Sequence, residues 1–566
     1  IEDLQYVNSK IDLVERWRKL MKVYLIENYH DEIKEDERTF KKDSTFRVRN
    51  YSEIEIETRE VLNETMADYF VIMEEEFQRQ HWFSIYLNSF VSQYDPNTSY
   101  LDPEDRDRFN IDMSGNYAGI GAILRKKVDK IEITELISGG PAWRNNSLEK
   151  GDVILKVRQE DDSEPVSVVG YRLADAVKLI KGEKGTNVFL TVKKVDGTVN
   201  EISIERDIVL LEETYIKSSL VKKDGNNYGI INIPKFYIDF ENQDNRDAAK
   251  DLKIEINRLK DQGVKGLVID LRNNGGGSLK TVVDMAGMFI ESGPVVQVKY
   301  FDKEKQVLRD RDRSILWRGP LVILVNEGSA SASEILAAAM QDYERAIIIG
   351  GNQTWGKGTV QNVFPLNRMV RGNTKGDLGA LRYTTQKYYR VNGGSVQLEG
   401  VKSDINLPFR YKYLDFGEKD SENPMQWDEI ENINYQKWNS NFDFDFAIKK
   451  SQKRMKESEH LKLVDENAKW IKDIREKKIF NLNYQKFRSE LEENIKTTEK
   501  FKKLDNFSLD YSFKSLPYET QMIENDSILG KKRERWHKSL NKDIYIGEAL
   551  NAVSYTHLRA HETHND

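Results

Sequence analysis

The 566-residue chain contains no cysteine, which excludes disulfide staples and thiolate metal sites and leaves the redox compartment unread. Histidine is nearly as scarce: seven residues, at 30, 81, 460, 537, 557, 561 and 564, with none between 82 and 459. A Ser-His-Asp triad built within that long central region is therefore excluded, and so is a His-rich zinc site. Any hydrolytic chemistry there needs a different general base. No apolar run approaches the roughly 18 residues needed to span a bilayer. The net charge of -7 lacks the basic excess of a general nucleic-acid binder. The chain begins with Ile1 rather than Met, so it is expected to be a fragment or a processed form whose targeting segment is out of view.

What is present is length, charge and a changing rhythm. At roughly 150 residues per domain the chain has room for about four, and 32% of it is charged with a mean hydropathy of -0.67. Residues 1–113 carry apolar positions three and four apart, as in KIDLVERWRKLMKVYLIENY, and read as a helical domain. DPNTSYLDPED (95–105) interrupts that pattern. From 114 to 207 short alternating strands (KIEITEL, DVILKV, VFLTVKK, EISIER) are separated by glycine turns around a single helix, YRLADAVKLI. From 208 to 420 strands and helices alternate, which predicts an α/β core with a buried, largely parallel sheet. Residues 421–551 are Lys/Glu-rich and helical, and read as a solvated scaffold. The last stretch, 552–566, breaks with the preceding style and resembles translated adapter sequence, so it is expected to be non-native. The fold class is thus multidomain α+β, with an α/β core, a small β-rich module before it and helical domains at both ends.

Three features fall at the ends of predicted core strands, where open α/β sheets place their sites. DLRNNGGGS (270–278) allows backbone N–H groups to turn inward. NEGSASASEILAAAM (326–340) places serines where a buried strand gives way to a helix. A nucleophile there would be exposed on a sharp turn at the positive end of the helix dipole. Its oxyanion would be held by the Ala332 amide and by amides near Gly275 and Gly276. Taken alone, the stretch fits a helix cap better, because Ser331-Ala332-Ser333-Glu334 is an S-x-x-E capping box. GGNQTWGKGTVQ (350–361) approaches a phosphate-binding loop but has Gly358 where Ser or Thr must hold magnesium, and strand rather than helix follows. In a histidine-free region Lys357 is instead the natural partner of a serine nucleophile. To accept a proton its pKa must fall from about 10.4 toward 7, at a cost of roughly 4–5 kcal/mol that burial can supply. Gln361, four residues on, is a neutral group able to orient the amine without charging it.

SASASEILAAAMQDYERA followed by WGKGTVQ, with DLRNNGGG, DPNTSYLDP, YAGIGAIL, SGGPA and GYRLADAVKLIKG in order over residues 80–400, resembles the carboxyl-terminal processing peptidases, in particular the long tail-specific form. The resemblance implies a serine endopeptidase with Ser331 as nucleophile, Lys357 as base, Gln361 in support and Asp342 at an acidic position associated with activity. It implies no metal and no cofactor. It also implies a bacterial periplasmic location, peripheral membrane association, protein substrates with apolar C-termini and, in some relatives, a lipoprotein adaptor. The loop GGNQTWGKG is one residue longer than the usual form.

The 114–207 module has the parts of a PDZ domain, although its pattern alone also fits an ordinary small β-rich domain. Gly119, Ile120 and Gly121 form a loop entering the strand that starts at Ala122, and their amides suit a C-terminal carboxylate. Leu173, Val177 and Ile180 share one face of the helix, beside which an extended peptide would add as a strand. Two competing classes are a non-enzymatic PDZ scaffold in which Ser331 only caps its helix, and a nucleotide-binding protein using residues 350–361.

Overall fold

The computed structural model describes residues 6–75, 79–127, 130–137, 139–239, 246–300, 303–374, 376–439, 442–477 and 479–562. Ser138 of the SGGPA motif and residues 563–566 of the expected tail lie outside them. The chain divides into two compact units, residues 1–83 with 463–506, and residues 84–462 with 507–566. Parts of both helical flanks therefore fold together in the first unit. Its helices Lys10–Lys42, Tyr51–Glu75 and Tyr484–Phe501 enclose a groove that includes Met21, Leu25, Leu62, Met66 and Tyr484. Among the described residues no helix is long and apolar enough to cross a membrane.

In the second unit, a small β domain comes first. Strands β1 (Ala122–Lys127), β2 (Lys130–Leu136), β3 (Val153–Gln159), β4 (Asn187–Lys193) and β5 (Val199–Glu205) form a sheet in the order β1-β2-β3-β4-β5, and helix α1 (Leu173–Ile180) packs on it. Alternate residues of the strands (Ile131, Ile133, Ile154, Leu190, Ile204) are buried, as period-two patterning requires. Strand β1 is an edge strand with one hydrogen-bonding side unused by the sheet.

The core that follows has β6 (Lys217–Lys223), β7 (Asn226–Asn232), α2 (Ala248–Asp261), β8 (Leu267–Asp270), α3 (Leu279–Gly287), β9 (Leu321–Val325), α4 (Ala332–Asp342) and β10 (Ile347–Gly350). Strands β11 (Thr359–Pro365) and β12 (Ala380–Tyr389) pair in a second sheet, and β13 (Ile405–Asn406), β14 (Phe513–Lys514) and α5 (Ile544–Glu562) complete the unit. The main sheet runs β13-β10-β9-β8-β7-β6-β14, parallel from β7 through β13. Its central strands LVID, LVILV and IIIG are buried along their whole length, which is why they are continuous apolar runs rather than alternating ones. One core cluster unites the sheet with α2, α3 and α4, and a second unites its other residues with α5. At residue 552, α5 continues, and Ala552 and Val553 are wholly buried against the sheet.

Candidate active site

The three alternating serines have three different fates. Ser329 is buried, donates its hydroxyl to the Leu271 carbonyl at 2.9 Å and accepts the Asn326 amide. Ser333 is buried too and donates to the Asn274 carbonyl at 2.8 Å. Both thus tie the helix entry to the glycine loop. Ser331 alone is partly exposed. It sits at φ 55°, ψ -111°, a backbone region that costs a non-glycine residue about 1–3 kcal/mol. That strain presents its side chain at a sharp strand-to-helix turn, as a nucleophile requires. Of the capping box, the well-made half is the Glu334 carboxylate on the Ser331 amide at 2.7 Å; the other half, the Ser331 hydroxyl facing the Glu334 amide, is present only as a loose contact.

Glu334 is the residue that sequence reasoning undervalued. It is completely buried, and its carboxylate accepts from the amides of Ser331 (2.7 Å), Gly356 (2.7 Å) and Lys357 (2.9 Å) and from the Thr354 hydroxyl (2.6 Å). One oxygen thereby holds both the Ser331 and the Lys357 backbone within 3 Å. Burial pushes Glu334 up to about 7, against the pull of these bonds. The capping-box signature was visible in sequence, but its reach to a loop twenty residues on was not. Tyr388, on β12, closes the same arrangement from the other side. Its buried hydroxyl lies 2.6 Å from the Lys357 carbonyl and 3.2 Å from that of Ser331.

Lys357 follows the strand β10 on the loop into β11. Burial holds its amine below the ordinary lysine value, and the Arg382 guanidinium adds to that; Glu418, Glu334 and Asp95 oppose it. No carboxylate forms an ion pair with it among the described residues. The glycines around it are steric necessities, since a Cβ on Gly358 would fall 2.9 Å from the Gln397 backbone amide. Asp95-Pro96-Asn97-Thr98 packs against this loop, with the Asn97 amide on Glu418 at 2.6 Å and within 3.4 Å of the Thr359 hydroxyl.

Other expected positions fall differently. Gln361 follows a register shift in β11, and its amide donates to the Thr359 and Thr384 hydroxyls at 2.9 and 3.1 Å. It makes no hydrogen bond to Lys357, so the amine is not oriented by it in this state. Asp342 lies away from the serine. It ends α4, eleven residues or about 16 Å along the axis from Ser331. There it pairs with Arg390 at 2.6 Å and accepts from Asn392 at 2.9 Å, the work of a structural clamp. Gly276 is occupied in this structure: its N–H is donated to Asn274 Oδ1 at 2.9 Å. Gly276 acts by close approach instead, since a Cβ there would lie 2.8 Å from the Ser331 Cβ. Gly275, whose Cα faces open space, and Ala332, the first amide of α4, remain the candidate donors.

In the small domain the Ile120 carbonyl accepts from Ala142 at 2.7 Å and the Gly121 carbonyl from Ile137 at 2.8 Å. Across a trans peptide these bonds turn the N–H groups of Gly121 and Ala122 the opposite way, toward the open edge of β1. The Ile120 side chain is buried, so it contributes through its backbone. Gly119 lies against the Lys181 side chain, a cation that the sequence pattern did not single out. Ile180 is buried: with Ala176 it forms the buried stripe of α1, while Leu173 and Val177 at the stripe's edge stay half-buried. Among the described residues no group of three or more His, Asp or Glu is placed to hold a metal.

Four family descriptions match in sequence order. Residues 1–104 match the tail specific protease N-terminal domain, 102–193 a PDZ domain, 227–407 peptidase family S41, and 411–554 the C-terminal domain of tail specific protease. The chain is 39% identical over 411 residues to a tail-specific protease of Haemophilus influenzae, covering 72% of this chain and 58% of the relative. It is 34% identical over 315 residues to a probable CtpA-like serine protease of Staphylococcus epidermidis, covering 55% of this chain and 58% of that one. A solved PDZ domain of a carboxy-terminal protease from Vibrio cholerae, in complex with peptide, is 42% identical over 17% of this chain and 97% of its own, with a TM-score of 0.16. The class is therefore peptidase family S41 with a PDZ domain, and within it the chain belongs to the tail-specific proteases. It spans 58% of the length of each of the two curated relatives.

Proposed function

We propose that the chain is a serine endopeptidase that captures protein substrates by an apolar C-terminus and cleaves them with a Ser331–Lys357 dyad. The observation that carries this reading is the shared Glu334 carboxylate, which binds the backbone of a strained serine and of a buried, unpaired lysine with one group. Neutral Lys357 takes the Ser331 proton as the hydroxyl attacks the scissile carbonyl, and returns it to the leaving amine. The amides of Ala332 and Gly275 stabilise the oxyanion. Gln361 supports the amine once substrate displaces the hydroxyls it now contacts. In the PDZ domain the Gly121 and Ala122 amides receive the substrate's terminal carboxylate, with Lys181 as a complementary charge. Leu173 and Val177 meet its side chains while the chain adds to β1. Family resemblance supports a bacterial envelope location, peripheral contact with the membrane and a lipoprotein adaptor.

The test is degradation of a disordered protein ending in apolar residues. Wild type should degrade it, and Ser331→Ala and Lys357→Ala should spare it. Full activity in either variant would sink the dyad, and binding without cleavage by wild type would favour a scaffold. Amidating the substrate's C-terminus should weaken capture; unchanged cleavage would remove the PDZ loop from recognition.

A further inference from the structure

A cavity of about 670 Å³ opens at the C-terminal ends of four parallel strands, where Asn232, Asp270, Val325 and Gly350 end β7, β8, β9 and β10. This is within the range of small-ligand sites. Three of its walls belong to the loops that carry the proposed chemistry. Asn273 precedes Gly275 by two residues, Gly328 precedes Ser331 by three, and Trp355 precedes Lys357 by two. Three residues of chain span at most about 11 Å, so the cavity lies within about three residues of extended peptide from the nucleophile.

Its floor has more acid than base. Arg272 is held by Asp270 at 2.7 Å and by Asp543 at 2.8 Å, two carboxylates for one guanidinium. Glu327 also lines the cavity, and its Oε1 is buried without a hydrogen-bond partner. A carboxyl with one oxygen orphaned is costly to ionise, so the group gains when a cation is brought against its open side. The space it occupies is purpose-shaped: a Cβ on Gly351 would lie 1.9 Å from that same oxygen. Burial raises Glu327 to about 7, as expected for a carboxyl lacking a counter-ion. The aromatic faces of Trp355, Tyr411, Phe416 and Tyr545 complete the lining. Such faces attract guanidinium and ammonium groups. Arg410 is also part of the lining, but it is exposed and lies toward the Tyr411 ring, 5.8 Å from its centroid, at the rim.

We propose that this cavity is a subsite for a basic side chain of the polypeptide substrate, arginine or lysine, lying a few residues from the scissile bond. The incoming cation donates to the Glu327 carboxyl from its open side, away from the Oε1 that packs against Gly351, and stacks on the aromatic wall. The assignment rests on the peptidase reading for the identity of the ligand, but its test does not require turnover. The Ser331→Ala protein is titrated with amidated extended peptides that differ only in carrying arginine or norleucine at one position. The arginine peptide should bind roughly tenfold tighter, and Glu327→Gln, made in the same background, should erase that difference while leaving the norleucine peptide and the melting temperature unchanged. Equal affinity of the two peptides, or a preference that survives Glu327→Gln, would overturn the subsite. In the Ser331-intact protein the same preference should appear in kcat/KM. A protein that binds arginine selectively but never cleaves would keep the cavity and discard the peptidase.

Discussion

The two ends of helix α4 carry an acidic residue each, and the fold treats them in opposite ways. At the far end Asp342 is saturated: Arg390 and Asn392 bind it and nothing about its backbone is strained. At the near end Glu334 is equally saturated, but what it binds is a serine in a costly conformation and a lysine loop whose amine has no ion-pair partner among the described residues. Same helix, same chemistry of carboxylate, different beneficiaries. One end spends its hydrogen bonds on rigidity alone. The other spends them on keeping two side chains out of their resting states.

That contrast can be broken most sharply at the reactive end. Ser331→Ala and Lys357→Ala should each lower kcat by about 10⁴-fold or more, with circular dichroism unchanged, since neither side chain holds the core together. Next comes Glu334→Gln, which keeps the shape but aims an amide donor at backbone N–H groups. Single-turnover kinetics should show a loss of about 100-fold in kcat from misplacement, in a protein that still folds. Asp342→Ala should do the reverse. Breaking one partner of a buried pair costs about 3–5 kcal/mol, so thermal denaturation should reveal the damage, while kcat well below the melting temperature stays within about threefold. If Asp342→Ala instead abolishes kcat in a fully folded protein, the two ends are not so different after all.

The smallest effects are on pH dependence. Lys357 acts as a base only when neutral, and its folded value lies below the ordinary 10.5 because of burial and Arg382. Activity should therefore rise as pH rises through that depressed value. Removing the cation by Arg382→Gln lets the lysine hold its proton more tightly, and the acid limb of the kcat/KM profile should move to higher pH. Removing an opposing anion by Glu418→Gln should move it to lower pH. Shifts of the same sign in both variants would detach the limb from Lys357.

Much of this was legible in the chain itself. A region without histidine, a glycine loop and a lysine after a second strand are local signals, and each survives as a position at one edge of the sheet. Parallel strands betrayed themselves as unbroken apolar runs. What escaped was anything that depended on where side chains meet across the fold. The Glu334 carboxylate read as a local cap because its other partners are twenty residues away, and Tyr388 sits on a strand whose pattern says only that it is half-buried. The place of Asp342 at the far end of α4 was also hidden, because its likeness to a family position carries no distance. That Asn274 reaches the Gly276 amide was not legible either. Ile180 shared a face with Leu173 and Val177 on a helical wheel, but the sheet chose the centre of the stripe slightly to one side.

Ten of the eleven residues of α4 are buried, from Ala332 through Met340 and again at Asp342. A helix packed on nearly every side is a fixed anvil. On the proposed reading the serine is not withdrawn between substrates, because moving it would unseat a large share of the core. Control would then come from what reaches the anvil, through the entry of a chain end or the placement of the opposing lysine loop, and inhibitors that deny access should stop it more easily than those that try to deform it.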